Sequence, residues 1–222
     1  MEKLKTCNLL DTEKTIAKSL FDECEFPFDA LPKIKDYIIE LAKTLNKDEF
    51  NEVADGIFVH KNATVAPTAF IAPPCIIDDG TEVRHCAFIR GCAIVGKNCV
   101  VGNSTELKNV VLFDNVQVPH YNYVGDSILG YKSHMGAGSI TSNVKSDKSP
   151  VTIKIDGDKV QTGYKKFGAV LGDNVEIGCG TVLNPGSVVG KNTNVYPLSM
   201  VRGYIPENSI YKKSGEVATK QS

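Results

Sequence analysis

Every sixth residue from Val59 to Phe113 is apolar: Val59, Val65, Ile71, Ile77, Val83, Ile89, Val95, Val101, Leu107 and Phe113. Four places after each comes a second periodic site, occupied by Ala63, Ala69, Cys75, Thr81, Ala87, Ala93, Cys99, Thr105, Val111 and Gln117, nearly all small or β-branched. The beat returns at Leu129 and Met135, and again from Leu171 through Ile177, Leu183, Val189 and Val195 to Val201. A period of six fits neither an amphipathic helix nor an alternating strand. It predicts an all-β chain, a hexapeptide parallel β-helix whose short strands form the faces of a triangular prism. Residues eighteen apart then stack on one face, and both periodic sites point inward. Gly, Asn and Asp in GKN (96–98), GDN (172–174) and GKN (190–192) suit the tight corners between faces.

Residues 1–52 do not share the beat. Asp11 and Thr12 make an N-cap signal before Ile16 and Leu20, and Pro27 breaks the chain. Leu31, Ile34, Ile38, Leu41 and Leu45 then recur at helical spacing. The segment reads as a small helical cap over the first coil of a β-helix spanning 53–203, because solenoid ends need protected edges. The beat is disturbed twice. The step from Phe113 to Tyr123 is ten residues instead of twelve, in a window holding Pro119, His120, Tyr121 and Asn122. From 144 to 167 the runs VTIKI and KVQTGY flank DGD, a β-hairpin expected to project as an arm. Segment 204–222 is expected to cross the last coil and end in a mobile polar tail. Breaks in a regular repeat mark candidate sites.

Charge narrows the partners. Lys plus Arg number 25 against 26 Asp plus Glu, with no long basic block, so no nucleic-acid partner is expected and anion recognition must be local. The seven cysteines contain no CxxC pair, and Cys75 and Cys99 fall on the small inward site, which suits a reduced compartment. The charged start lacks a signal-peptide pattern and no segment is long enough to span a bilayer, so a cytoplasmic protein without membrane contact is expected.

Four ordered motifs add chemistry: GNSTELK (102–108), VPHYNYVGD (118–126), MGAGSITSN (135–143) and LGDNVEIG (171–178). Together they resemble the acetyltransferase domain of the bifunctional bacterial enzyme that makes UDP-N-acetylglucosamine, over roughly residues 57–203. The nucleotidyltransferase half of that enzyme has no counterpart in residues 1–52. The resemblance implies a left-handed β-helix, a homotrimer, and transfer of acetyl from acetyl-CoA to glucosamine-1-phosphate, with no metal. It implies His120 as the general base, a role imidazole suits near neutral pH, and Glu106 as the group orienting it. Arg90, Lys108 and Lys166 match cations that hold the sugar phosphate; Arg90 and Lys108, eighteen apart, should stack on one face. Tyr123 and Asn143 match sugar-contacting residues, Asn143 also helping to hold the oxyanion with backbone N–H groups. Cys179 and Pro197 fall on the acetyl-CoA side. Val144, His134 and Cys179 stand where the family has tyrosine, asparagine and serine, and the 144–166 loop is longer.

Two other readings stay open. A binding module for sugar phosphates or nucleotide sugars, without catalysis, would keep the same cations. A metal enzyme of the γ-carbonic-anhydrase type would use His85 and His120, but zinc needs at least three protein ligands and no third stands at a suitable spacing.

Overall fold

The computed structural model describes residues 1–213 and 216–219. Its strands stack coil upon coil into a parallel β-helix with three faces. The first face stacks Ile57–His60, Cys75–Ile77 and Ala93–Val95, the second halves of Glu106–Leu112 and Tyr123–Leu129, then Ala169–Leu171, Ser187–Val189 and Tyr204–Ile205. The second runs from Thr64–Val65 through Val100–Asn103 and Gln117–His120 to Ser209–Lys213. The third carries Phe70–Ile71, Phe88–Ile89, the first halves of the two long strands, Ile140–Thr141, Val182–Leu183 and Met200–Val201. The periodic residues form its interior: Ile77, Val95, Leu112, Leu129, Leu171 and Val189 stack in register, all fully buried.

The phase differs from expectation at the first break. Leu112, not Phe113, pairs with Val95, and Val124, not Tyr123, pairs with Leu107. The strand containing His120 is already one residue out of the strict phase, since Val118 pairs with Val101, seventeen residues earlier. The two missing residues are instead lost singly, between Leu107 and Leu112 and between Val124 and Leu129. Both losses fall on the edge joining the third face to the first. Full-length corners there have two left-handed residues, as at Gly91 and Cys92, or one, as at Gly186; the left-handed residues of the shortened corners are Asn109 (φ 54°) and Asp126 (φ 46°). Short polar side chains tolerate that conformation. Gln117 accordingly lies exposed, one place beyond the buried Val116.

The helical segment is not an end cap. It runs lengthwise down the first face, from Lys3 beside Asp156 and Tyr204 to the helix Ile34–Ala42 over Cys75–Ile77 and Ala93–Val95. What holds it there is a column of outward-facing apolar residues, Ile76, Ile94, Val111, Ile128, Val170 and Val188, all fully buried. Leaving that column bare would expose a continuous hydrophobic stripe. Phe21 packs edge-on to Phe113 at 5.0 Å and Phe28 meets Phe167 at 5.3 Å. Prism corners fasten the backbone: the Asp114 amide donates to Lys14 O at 2.9 Å, the Asp173 amide to Leu9 O at 3.1 Å, and Asp173 Oδ2 accepts from the Asp11 amide at 2.8 Å. The first coil is edged instead by Phe50–Ala54, paired antiparallel with Ile57–His60.

The hairpin Thr152–Ile155 and Asp158–Gln161 forms as predicted but does not project. Val151, Ile153 and Ile155 are buried, so its apolar side lies flat on the prism. Gly186 and Gly203, both at positive φ, permit this approach: a Cβ on Gly186 would stand 2.7 Å from Val151 Cγ1, and one on Gly203 2.5 Å from Lys154 O. The Phe167 amide donates to Asn143 O at 3.0 Å, so the insertion leaves and rejoins the coil at one point. At the C-terminal end, Tyr204–Ile205 and Ser209–Lys213 add a further parallel coil instead of crossing it. Glu216–Thr219 turns back as an antiparallel strand where a mobile tail was expected; the rest of that tail, 214–215 and 220–222, lies outside the described residues. Among the described residues no helix is long and apolar enough to cross a membrane.

Candidate active site

The expected site residues fall on the two edges that bound the third face. On the edge shared with the second face, left-handed residues stack as Ser104, Tyr121, Gly138, Gly180 and Leu198. Their amides tie the coils together: Gly138 N donates to His120 O, Gly180 N to Ala137 O, and Leu198 N to Cys179 O, each at 2.9 Å. His120, Ala137, Cys179 and Pro197 therefore stand in one line, a coil apart. Three coil spacings make that line roughly 14 Å long. The His120 side chain is exposed and makes no hydrogen bond or ion pair among the described residues; only its backbone is engaged, the carbonyl by Gly138 and the amide by the Asn122 side chain at 3.1 Å. Cys179 and Pro197 are also exposed, and they border a shallow groove of about 300 Å³ with Gly136, Gly178 and Tyr196. Small residues on that row leave room for an extended ligand along the edge.

The other edge carries the polar cluster. Arg90 and Lys108 do stack one coil apart, the Arg90 amide donating to Leu107 O at 2.8 Å. Each, however, has a carboxylate of its own. Arg90 Nη1 meets Glu106 Oε1 at 2.7 Å, and this bond raises the guanidinium pKa. Lys108 Nζ reaches both oxygens of the nearly buried Asp126, at 3.0 and 2.9 Å. Glu106 is thus bound to Arg90 and not, within one chain, to His120 as expected. Tyr123 lies on the outer side of the third face, paired with Glu106. Asn143 Nδ2 donates to Tyr123 Oη at 3.3 Å and to Asp126 Oδ2, so its amide hydrogens are spent on positioning instead of facing an oxyanion. Burial first, then the negative charges of Asp126 and Glu106, push the Tyr123 phenol pKa up, which keeps its proton available for donation. Lys166, next to the rejoining point at Phe167, is exposed and has no ion-pair partner among the described residues.

Asp126 and Asn109 were not singled out from the sequence, yet they organise this edge. Asp126 accepts from Lys108, Asn109 and Asn143. The available signal was the shortened corner, since each missing residue falls where one of these two takes the left-handed conformation. His134, which stands where the family has asparagine, lies on the second face and pairs with Glu176 at 2.8 Å. Among the described residues no group of three metal-ligating side chains converges; His85 and His120 lie on one edge, two coils and about 10 Å apart along the stack.

Known proteins agree with the motifs. "Bifunctional protein GlmU" of Methanococcus vannielii is 33% identical over 159 residues, 72% of this chain and 34% of that protein. A "Bifunctional sugar-1-phosphate nucleotidylyltransferase/acetyltransferase" of Sulfurisphaera tokodaii is 29% identical, over 48% of this chain and 27% of that protein. This chain matches about a third of the length of such relatives. Among solved structures, the acetyltransferase domain of PglB from Neisseria gonorrhoeae in complex with acetyl coenzyme A aligns over 81% of this chain and 62% of that one, at 15% identity and a TM-score of 0.33, a likeness too weak to build on. The family model described as the GMPPB C-terminal domain matches residues 71–210, and the chain belongs to that family of hexapeptide-repeat proteins, alongside the GlmU-type acetyltransferases its motifs resemble.

Proposed function

We propose that the protein is an acetyl-CoA-dependent N-acetyltransferase that acts on an amino-sugar phosphate, glucosamine-1-phosphate first, in nucleotide-sugar synthesis. The observation that carries this reading is the unengaged imidazole of His120 at one end of an open row of small edge residues ending at Cys179 and Pro197. The thioester arm of acetyl-CoA would lie along that row. The sugar amine reacts as the free base, its ammonium having lost a proton to solvent, and His120 takes one proton from the attacking nitrogen as it adds to the thioester carbonyl. The tetrahedral intermediate collapses with loss of the thiolate, which the imidazolium reprotonates, leaving an amide and CoA. No covalent enzyme intermediate is needed, because the acyl group arrives activated.

The sugar and its phosphate would meet the opposite edge, with Tyr123 donating and Arg90, Lys108 and Lys166 supplying positive charge. His120 and Asp126 stand on opposite edges of the third face, and no hydrogen bond or ion pair among the described residues joins the two groups. The reading includes a homotrimer in which the His120 edge of one subunit faces the polar edge of the next. Phe70, Phe88 and Met200, at 61%, 41% and 51% exposed on the outer side of the third face, flank a stretch that holds Glu106 and Tyr123, and suit such a contact. A cytoplasmic setting is part of the reading.

Following free thiol from acetyl-CoA with a panel of amino-sugar phosphates tests it. Glucosamine-1-phosphate is expected to release CoA, and His120→Ala to slow release about 10²–10⁴-fold. Equal rates in the variant would remove His120 from the chemistry. One observation favours a second reading, a binding module: Arg90 and Lys108 are already neutralised by Glu106 and Asp126. Thermal stabilisation by the sugar phosphate with no thiol release under any condition would select it.

A further inference from the structure

The polar edge continues beyond Asn143 into a cleft of about 600 Å³. Ser142 and Val144, the neighbours of Asn143, form its near end; Asn184, Pro185 and Arg202 form its floor; the docked hairpin closes one side. Leu183 pairs with Val201, so Asn184 and Arg202 are stacked one coil apart, and Arg202 Nη2 donates to Asn184 Oδ1 at 3.3 Å. Lys145, Lys154 and Lys159 add three further cations against one carboxylate, Asp147, which Lys145 already holds at 3.6 Å.

Lys154 and Lys159 carry the inference. They stand directly opposite each other in the hairpin ladder, both exposed, and neither has a carboxylate partner among the described residues. Like charges facing across a ladder are unfavourable. Here the pair is held rigidly, since the strand bearing Lys154 is pressed onto the prism at Gly203 and its alternate residues are buried. An arrangement that concentrates positive charge without internal compensation is set up for an anion. A single phosphate would leave most of the volume empty. Val144 and Pro185 provide an apolar strip, and Ser142, Thr152 and Asn184 provide hydrogen-bonding groups, the lining expected for a sugar and a base attached to phosphates.

We propose that this cleft binds a nucleoside diphosphate, with its two phosphates between Lys154, Lys159 and Arg202. The inference goes beyond the transfer reading and does not require it. Two molecules present that chemistry: a nucleotide-linked sugar, and the adenosine diphosphate end of a coenzyme A.

Calorimetric and thermal-shift titration of the full-length protein tests the cleft without acetyl-CoA or amine present. The ligands are ADP, UDP and GDP, each against its own nucleoside. At least one diphosphate is expected to bind at least tenfold more tightly than its nucleoside, and both Lys154→Gln/Lys159→Gln and Arg202→Gln to weaken it about tenfold or more. Without ligand, Lys154→Gln/Lys159→Gln is expected to keep or raise the melting temperature, because it removes a repulsive pair; a purely structural role for the lysines would lower it. Tightest binding of ADP assigns the cleft to the coenzyme, and tightest binding of UDP or GDP to a nucleotide sugar. The proposal is overturned if no diphosphate is preferred over its nucleoside, or if the double variant binds as tightly as the unmodified protein. Thiol release plays no part in the readout, so failure of the transfer reading and failure of the cleft give separate signatures.

Discussion

The first and third faces of the prism both carry apolar residues on their outer side, but only one is covered. Ile76, Ile94, Val111, Ile128, Val170 and Val188 on the first face are sealed beneath the helical strap and hairpin. Phe70, Phe88 and Met200 on the third face stand in solvent within a single chain. Covering one face within the chain spends the N-terminal segment and the insertion as structural elements. The other stays open between the two edges that carry His120 and Asp126, and in the trimer proposed above it would be the contact with the next subunit. Outward apolar residues thus stabilise the chain on one side and, in the trimer proposed above, would meet the next subunit on the other.

The largest effect should separate these roles directly. Ile94→Asp places an unpaired charge beneath the strap and is expected to cost about 4 kcal/mol or more in denaturant unfolding. Phe88→Asp on the open face is expected to change the stability of the isolated chain by no more than about 0.5 kcal/mol, while sedimentation is expected to show loss of the proposed trimer and thiol release to fall with it. A trimer that survives Phe88→Asp would remove the third face from assembly. Next in size, Asp126→Asn strips Lys108 of its counter-charge in a nearly buried setting. It should destabilise by roughly 2–3 kcal/mol and raise the KM for sugar phosphate more than it lowers kcat; an unchanged KM would make the cluster purely structural. The smallest effect concerns thiols. Burial pushes Cys75 and Cys99, on the inward columns, up to about 12, whereas Cys7, Cys86 and Cys179 are exposed. Native alkylation at pH 8 should modify the exposed three and spare Cys75 and Cys99 until the protein unfolds, as read by mass spectrometry; labelling of either before unfolding would contradict the packed interior.

Much of this was legible in the chain. The beat through Val83, Val101 and Leu107 identified coil and faces, because a residue stacked on identical neighbours needs only local spacing to find its place. The hairpin register followed from its Asp-Gly turn. The strap had a readable signal that spacing alone does not interpret: triplets such as CII (75–77), AIV (93–95) and AVL (169–171) have an apolar middle residue where an exposed face would carry a polar one. That middle position shows that something covers the face, but not which segment does so. The phase shift was visible as a deficit of two residues, yet counting could not locate it. The strand register places it at the corners of Asn109 and Asp126, each one residue short and each turned by that left-handed residue. Among site residues, the stacking of Arg90 over Lys108 followed from their spacing, whereas the partners did not. Glu106 was available to His120 on paper and is committed to Arg90 in space.

The sequence by itself determined the β-helix, its interior, the hairpin and the candidate residues, because period and motif are properties of neighbours along the chain. Tertiary structure alone decided three things: that the helical segment clamps a side instead of an end, that the hairpin lies down to wall a basic cleft, and that Asp126 ties Lys108, Asn109 and Asn143 together. Each depends on contacts between distant segments whose favourable free energy comes from burying specific surfaces or pairing specific charges, and spacing along the chain does not encode those pairings.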